Sequence, residues 1–317
     1  MAVSVPSSDN VSIVRGMIIM ALAMLFAPGM DVLAKYLGTE GNVSPGVVTF
    51  GRFLTQGIVL GLLLSLLVAV GRKKKLLPTN LYGNLLRGAL MGLAAFLFFT
   101  AVTFMPVADA ISIFFVEPFI VTILSAMFLG EVVGWRRTTA VLIGFGGALL
   151  VIQPSFEKVG FVALLPICTA FVFAIYLILT RKIAASNDDP FAMQFAAGLG
   201  GTVFMLFAIG VGGEFLGIPA LRAEFPATIS LWAMVISIGL IGSVTHLMIV
   251  FACASVPASI IAPFQYLEIV SATLLGFLVF SDFPNAIKWV GIFIIIGSGI
   301  FIFMRERENA RTTEELR

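Results

Sequence analysis

Ten long apolar runs divide the sequence, and each ends at a charged residue, a proline or a glycine. A helix needs about 20 apolar residues to cross the hydrocarbon layer of a membrane, which is about 30 Å thick. The runs are continuous and lack the two-residue alternation of membrane barrel strands. The pattern therefore predicts an all-α integral membrane protein with ten transmembrane helices: 13–37, 45–70, 84–104, 107–129, 138–153, 159–180, 190–213, 229–251, 257–280 and 286–304.

The basic residues indicate the orientation of these helices. With the N-terminus in the cytoplasm, 14 Lys and Arg residues, Arg87 among them, fall on the cytoplasmic side and 4 on the other, while Arg52 lies within a span. Lys and Arg in short loops favour the cytoplasmic side of a membrane. The sequence thus predicts a multi-pass protein of the bacterial inner (plasma) membrane, with both termini in the cytoplasm.

Composition supports the membrane class and excludes others. Hydrophobic residues make up 60% of the chain and charged residues 11%, and the mean hydropathy is +1.09, whereas about 25% of a soluble domain is charged. The net charge is only +2, and the basic residues lie at the ends of the apolar runs instead of in one patch, so we expect no nucleic-acid partner. We expect no metal and no cofactor, because Cys168 and Cys253 have no His or Cys neighbour at ligand spacing.

Two parts of the chain repeat each other at a shift of 151 residues. Each half has five spans. Because five is odd, the second half crosses the membrane in the opposite sense to the first. We therefore predict an inverted repeat over 13–154 and 155–304, between a cytoplasmic segment 1–12 and a cytoplasmic tail 305–317. Such repeats are common in secondary transporters, which bind substrate near the midplane between the halves. The shift aligns Pro106 with Pro257, Glu117 with Glu268, Thr122 with Thr273, Leu124 with Leu275, Gly146 with Gly297, and Glu131 with Asp282.

Three segments resemble the EamA-type proteins of the drug/metabolite transporter superfamily. Residues 129–154, LGEVVGWRRTTAVLIGFGGALLVIQP, place an acidic residue before a short glycine-rich fifth helix. Residues 281–304, SDFPNAIKWVGIFIIIGSGIFIFM, repeat this pattern with Asp282 in place of the glutamate. Residues 45–52, PGVVTFGR, have the proline start and the arginine of the family's second helix. The resemblance covers nearly the whole chain and implies a ten-helix transporter.

Ionisable residues inside the predicted spans are candidates for the substrate site. A charge at the bilayer centre costs about 2.5 to 3.5 kcal/mol on insertion scales, so such a residue is by default a functional hypothesis. Glu117 and Glu268 lie at the middle of spans 4 and 9, and the inverted repeat could place them opposite one another. The alternative is a protonated carboxyl that forms hydrogen bonds between helices. Either glutamate could carry a proton, which leaves proton coupling open.

Polar residues and prolines accompany the two glutamates. Gln265, Glu268 and Ser271 recur every three residues and so form one stripe of span 9. Pro118 and Pro263 would kink spans 4 and 9, because each removes a backbone hydrogen bond. A freed carbonyl beside a carboxylate makes a group of acceptors suited to a polar substrate or a cation. The alternative is that membrane helices simply tolerate these prolines.

Spans 1 and 2 carry charges near the predicted outer surface. Asp31 and Lys35 are four residues apart and can pair on one helix face, or Lys35 extends to the surface. Asp31 and Arg52 are the better candidates for an outer vestibule that orients a substrate. Asp109 is either a helix-start residue or a binding residue. The only histidine, His246, either lines a cavity or is a packed, hydrogen-bonded ring.

These features favour a secondary transporter that works by alternating access, and not an enzyme. The expected partners are a small-molecule substrate and the lipid bilayer, with a homodimer left open. No nucleotide-binding loop is present, so ATP is not the direct energy source. An intramembrane lipid-modifying enzyme would need clustered acids or a His-rich metal set, whereas Asp188 and Asp189 lie alone in a loop. A structural or sensory membrane protein leaves the intramembrane charges unexplained.

Residues 23–37, AMLFAPGMDVLAKYL, are similar to the riboflavin uptake branch of the superfamily. This resemblance implies riboflavin as the substrate, held by aromatic stacking and by hydrogen bonds to Gln265, Tyr266 and the carboxylates. Carriers of S-adenosylmethionine and amino acids are near relatives, so these substrates stay as alternatives. The sequence leaves the direction, import or export, open.

Overall fold

The protein was analysed as a computed structural model, which describes residues 7–71, 76–129, 135–184, 189–255, 264 and 267–315. This part of the chain contains no β-strand. Short 3-10 helices cover Gly160–Leu164 and Pro219–Leu221, and a π-helix covers Ile209–Phe215. The α-helices are α1 Ser7–Thr39, α2 Pro45–Ala69, α3 Leu81–Phe104, α4 Val107–Phe114, α5 Glu117–Leu129, α6 Trp135–Val159, α7 Leu165–Ala184, α8 Pro190–Ala208, α9 Ile229–Ser255, α10 Leu267–Phe280 and α11 Ala286–Glu315.

Six segments in the described part of the chain are long and apolar enough to cross a membrane, namely Arg15–Thr39, Pro45–Ala69, Leu81–Phe104, Phe156–Thr180, Pro190–Phe215 and Ile229–Ile249. Shorter apolar helices cover Leu142–Val151, Leu267–Phe280 and Ala286–Ser298. Many large hydrophobic side chains remain exposed, among them Ile18, Phe26 and Leu62. An apolar surface of this kind suits contact with lipid. The count of ten spans and the side of each terminus stay predictions.

Polar caps and prolines determine where two of the long helices begin. The Ser44 side chain accepts a hydrogen bond from the Val47 N–H at 3.3 Å, and Pro45 takes the first position of α2. Asp189 accepts from the Phe191 N–H at 2.9 Å in the same way, before the proline that opens α8. A side-chain oxygen at this position satisfies one of the free N–H groups of a helix start. The cap on α2 places Arg52 two turns inside the helix.

The predicted fourth span is interrupted near its middle. The helix α4 ends at Phe114, and α5 begins at Glu117. Pro118 has no N–H to donate to the Phe114 carbonyl, as a continuous helix would require. The Val116 N–H bonds instead to the Ile113 carbonyl at 3.1 Å, which tightens the chain at the interruption. The interruption therefore falls where the sequence predicts a kink, and it makes Glu117 the first residue of a new helix.

Glycines bring α3 and α8 into close contact. A Cβ atom on Gly88 would lie 2.1 Å from the Ala197 carbonyl oxygen, and one on Gly200 would lie 2.1 Å from the Leu85 carbonyl oxygen. Neither position can hold a side chain unless the backbones move apart. Small residues at helix interfaces in membranes permit this approach. The glycines of 198–201 therefore serve helix packing.

The contacts between helices are repeated when the two halves of the chain are exchanged. The first half contains α1 to α6, and the second contains α7 to α11. Helix α3 packs on α7 as α9 packs on α1, and α3 packs on α8 as α9 packs on α2. Helix α5 packs on α7 as α10 packs on α1. The halves also meet directly through α2 and α8, α4 and α10, and α6 and α11.

Two ion pairs between described residues join the halves. Lys35 binds Asp282, and its ammonium lies 4.4 Å from the centre of the Phe280 ring. Lys288 binds Asp109, the acidic residue in the first turn of α4. Lys35 thus pairs across the molecule and not with Asp31, and it is buried instead of extending to the surface. The reason is that packing of α10 against α1 brings the residues after α10 to the end of α1.

Candidate functional site

Four of the predicted site residues come together from four helices. They are Asp31 on α1, Arg52 on α2, His246 on α9 and Glu268 on α10. Nη2 of Arg52 lies 3.0 Å from Nε2 of His246. Asp31 is within electrostatic reach of both Arg52 and Glu268. Each half of the chain therefore contributes two ionisable side chains to one cluster, which we call the central cluster.

The carboxylates of the central cluster are left available as hydrogen-bond acceptors. Asp31 is 2% exposed, and Glu268 is partly buried. Within the described ranges, neither of them makes a hydrogen bond or a direct ion pair, although Arg52 is near Asp31. Buried charged groups are normally paired and hydrogen-bonded. The carboxylate oxygens of Asp31 and Glu268 can therefore accept hydrogen bonds from a ligand, because no described side chain donates to them.

Arg52 supplies the donors of the central cluster. Its guanidinium stays protonated and can only donate, so His246 accepts through Nε2 and carries its own proton on Nδ1. The Phe53 and Phe99 rings lie 5.0 and 5.7 Å from the guanidinium carbon. Nε of Arg52 is buried and has no hydrogen-bond partner among the described residues. The hydrogen bond to Arg52 thus makes His246 an acceptor in its neutral form, while the buried Nε–H of Arg52 stays unused among the described residues.

A second polar cluster lies between α3 and α7, centred on Arg87. Nε of Arg87 donates to Thr180 Oγ1 at 2.9 Å, Nη1 to Asn84 Oδ1 at 2.6 Å, and Nη2 to the Tyr176 hydroxyl at 3.1 Å. Arg87 is within electrostatic reach of His246, which connects the two clusters. The sequence predicts Arg87 on the cytoplasmic side, and this position stays a prediction. The structure adds that Arg87 is buried between helices, with only 4% of the residue exposed.

The sequence contains a weak signal for this second cluster. Asn84 and Arg87 are three residues apart, and Tyr176 and Thr180 are four apart, so each pair occupies one helix face. This spacing shows that each helix has two polar residues on the same face. It does not show that α3 and α7 pack with these faces towards each other.

Aromatic rings extend from the second cluster. The Tyr176 and Phe173 ring centres are 5.4 Å apart, those of Phe173 and Phe114 are 5.5 Å apart, and those of Phe114 and Phe98 are 6.0 Å apart. These distances are typical of aromatic pairs that attract each other. We call these four residues the aromatic row. Sequence spacing cannot select it among 30 phenylalanines.

The remaining predicted site residues have other positions. Glu117 is partly buried at the start of α5, and its predicted position opposite Glu268 stays a prediction. Ser271 donates to the Leu25 carbonyl oxygen at 2.7 Å and so joins α10 to α1. Lys35 and Asp109 belong to the ion pairs between the halves. Three other predicted residues, Pro263, Gln265 and Tyr266, lie outside the described residues.

The sequence pattern of the EamA-like transporter family matches the chain twice, over residues 14–153 and 160–304. The chain belongs to this family. A solved crystal structure has the same fold as this EamA-like transporter, with a TM-score of 0.60 and 19% sequence identity. The likeness covers 90% of this chain and 96% of that chain.

Relatives of this EamA-like transporter include several named carriers. An S-adenosylmethionine uptake transporter of Rickettsia bellii is 28% identical over 289 residues, which is 90% of this chain and 92% of the relative. A riboflavin transporter of Vibrio cholerae is 26% identical over 298 residues, or 94% and 95% of the two chains. The pseudopaline exporter CntI of Pseudomonas aeruginosa is 26% identical over 215 residues, or 67% and 71%. Two of these relatives are named as transporters, and the third is named as an exporter.

Proposed function

We propose that this EamA-like transporter carries a small polar organic metabolite by alternating access, with the central cluster as its substrate site. The observation that carries the proposal is that Asp31 and Arg52 come from the first half of the chain, while His246 and Glu268 come from the second. A site shared by two halves can open to either side when the halves rock against each other. The unused acceptors and the unused Arg52 donor give a substrate its binding partners.

The proposed topology has ten spans in two inverted repeats, 13–154 and 155–304, in the bacterial inner membrane with both termini in the cytoplasm. Exchange of the halves preserves the helix contacts, which supports a repeat. The two family matches cover nearly the same ranges. Five spans per repeat would give the second half the opposite orientation, and the distribution of Lys and Arg favours cytoplasmic termini.

Riboflavin is the first candidate substrate. A named riboflavin transporter is similar to this chain over 94% of its length, and residues 23–37 carry the same resemblance. The flavin ring would stack on the aromatic row, beside Tyr176. Its polar edge would donate to Asp31 and Glu268 and accept from Arg52.

S-adenosylmethionine is the second candidate, and the charges of the site favour it. Relatives named for its uptake resemble this chain over about the same length. The molecule carries a carboxylate and positively charged groups together with an adenine ring. The site offers both signs of charge. Its acidic residues are the buried Asp31 and the partly buried Glu268, and its basic residues are the buried Arg52 and Arg87.

Uptake into cells tests the proposal. Labelled riboflavin and labelled S-adenosylmethionine are offered separately to cells that lack other routes for each, with and without the full chain. We expect one of them to accumulate, and we expect Asp31→Asn and Glu268→Gln to lower the rate about tenfold or more, since each removes a charged acceptor from a buried site. Glu157→Gln, at an exposed position of α6, is the matched control and keeps the rate.

Two outcomes would contradict different parts of the proposal. If neither compound accumulates in cells that contain well-inserted protein, both candidate substrates are rejected. If a compound accumulates at the same rate in the Asp31→Asn and Glu268→Gln variants, the central cluster is not the substrate site.

A further inference from the structure

We infer that the substrate carries an anionic oxygen group, a carboxylate or a phosphate, and that Arg87 binds this group. The inference rests on the proposed transport function and names the chemical class of the substrate. It also adds a binding residue that composition and spacing do not select.

Arg87 carries a buried positive charge that meets only neutral hydrogen-bond partners among the described residues. The side chain is 4% exposed, and each of its three hydrogen bonds goes to a neutral acceptor, on Asn84, Tyr176 or Thr180. No carboxylate in the described part of the chain forms an ion pair with it. A charge buried in a protein is costly and is normally paired with an opposite charge. A negative group brought by the substrate would provide that charge.

The guanidinium of Arg87 also has more donors than its described neighbours use. A guanidinium has five N–H groups, and three of them are used by Asn84, Tyr176 and Thr180. One N–H is left on each of the two terminal nitrogens. Two N–H groups at the end of a guanidinium match the two oxygens of a carboxylate or a phosphate.

The guanidinium of Arg87 is held in a fixed orientation. Its three hydrogen bonds go to two different helices, and its carbon lies 5.2 Å from the centre of the Tyr176 ring. These contacts restrict the orientation of the group before any ligand arrives. A binding group held in this way loses little freedom when it binds, which favours affinity.

The position of Arg87 connects it to the central cluster. Arg87 is within electrostatic reach of His246, and Arg52 is within reach of Tyr176. Arg52 is in turn within electrostatic reach of Asp31, and Asp31 is within reach of Glu268. A substrate that meets both clusters would carry a negative group at Arg87 and a positive or hydrogen-bond donor group at the carboxylates. Of the two candidate substrates, S-adenosylmethionine has a carboxylate and riboflavin has no such group.

The competing explanation is that Arg87 only joins α3 to α7. Loss of the guanidinium would then lower the stability of the protein and leave the preference between ligands unchanged. A comparison of ligands that differ only in the anionic group separates the two explanations.

The experiment measures binding to the purified full chain with two matched pairs of probes. One pair is S-adenosylmethionine and its decarboxylated analogue, and the other is riboflavin 5′-phosphate and riboflavin. In at least one pair, we expect the wild-type protein to bind the probe with the carboxylate or phosphate at least about tenfold more tightly than the probe without it. We expect Arg87→Gln to remove this preference, because glutamine has no charge.

Three further variants serve as controls. Arg87→Lys keeps the charge but loses the fork of donors, so we expect it to retain a smaller preference, and it replaces Arg87→Gln if that variant does not fold. Tyr176→Phe keeps the ring but removes one bond that orients the guanidinium, and we expect a partial loss of the preference. Arg222→Gln changes an exposed arginine and should leave the preference intact.

The inference is overturned if neither anionic probe binds more tightly than its counterpart in the wild-type protein. It is also overturned if the preference survives at full size in Arg87→Gln or, where that variant does not fold, in Arg87→Lys. Failure of the transport function looks different, since the probes would then bind with the expected preference while no compound accumulates in cells.

Discussion

The guanidinium of Arg52 is held by one hydrogen bond to His246 and by the faces of Phe53 and Phe99. Its Nε–H has no partner within the described residues. A buried donor without an acceptor costs about 1 to 3 kcal/mol. The cost is understandable if a substrate supplies the missing acceptor. At the scale of single residues, the proposed function therefore rests on donors and acceptors that the fold buries but leaves unpaired among the described residues.

Gly242 faces this unused donor, and a methyl group there should weaken substrate binding. A Cβ atom at Gly242 would lie 3.2 Å from Nε of Arg52 and 3.6 Å from the Met30 sulfur. Crowding of a buried position typically costs about 1 to 3 kcal/mol, so we expect Gly242→Ala to raise the KM for uptake about tenfold. Gly146→Ala is the control, because a Cβ atom there would meet nothing within 4 Å. Equal KM values for the two variants would refute the role of this space.

His246 should act as a hydrogen-bond acceptor and not as a charged group. His246→Gln can still accept from Arg52, whereas His246→Leu leaves Nη2 of Arg52 without this partner. We expect the leucine variant to lose about 1 to 3 kcal/mol of stability and most of its uptake, and the glutamine variant to keep much of both. Melting temperature and initial uptake rate measure the difference. Equal losses in the two variants would contradict the acceptor role.

At the scale of helices, the interruption between α4 and α5 places a carboxylate at a helix start. Glu117 lies in the first turn of α5, and its repeat partner Glu268 lies in the first turn of α10. The N-terminus of a helix carries a partial positive charge that stabilises a carboxylate. Two helix starts with equivalent glutamates thus provide similar local electrostatics in the two halves.

Pro118 should be needed for this interruption. Pro118→Ala restores an N–H that can bond to the Phe114 carbonyl, which favours one continuous helix through the interruption. We expect the variant to melt at a higher temperature and to transport more slowly, because a continuous helix would redirect Glu117. Pro190→Ala is the control, since proline suits the first position of α8 and its loss should not affect uptake. Unchanged uptake in Pro118→Ala would show that the interruption has no role in transport.

At the scale of the whole molecule, the ion pairs between the halves differ in burial. The Asp109 and Lys288 side chains are 1% and 7% exposed, whereas Asp282 in the pair with Lys35 is 29% exposed. An exposed pair adds little to stability because water screens it. Removal of one partner of a buried pair leaves an uncompensated charge and is strongly destabilising. The pair of Asp109 and Lys288 should therefore dominate the stability of this contact between the halves.

We expect Asp109→Asn to lower the free energy of unfolding by about 3 to 5 kcal/mol. Asp282→Asn should lower it by about 1 kcal/mol or less. Unfolding of the purified protein in a detergent titration measures both. The double variant Asp109→Asn with Lys288→Met should recover part of the loss, because it removes the uncompensated charge. If the two single variants are equally stable, burial does not determine the strength of these pairs.

Much of the fold follows from properties of short segments. The length of each apolar run reports whether it can cross a membrane, and α2, α3 and α9 begin or end within a few residues of the predicted limits. The lack of an N–H in Pro118 is a property of one residue, and it predicts the interruption of the fourth span. The cost of a charge in a membrane likewise selects Asp31, Arg52 and Glu268 as candidates, because each of them interrupts a long apolar run.

The partners of these charges depend on how distant helices pack. The sequence places Lys35 one turn from Asp31, yet Lys35 binds Asp282, which is 247 residues away. Arg87 has the spacing of a boundary residue, yet the contact of α3 with α7 buries it against Tyr176 and Thr180. Which face of one helix meets which face of another is decided by many side chains at once. The sequence alone therefore determined the class of protein and its candidate charges, whereas helix packing determined which of them meet.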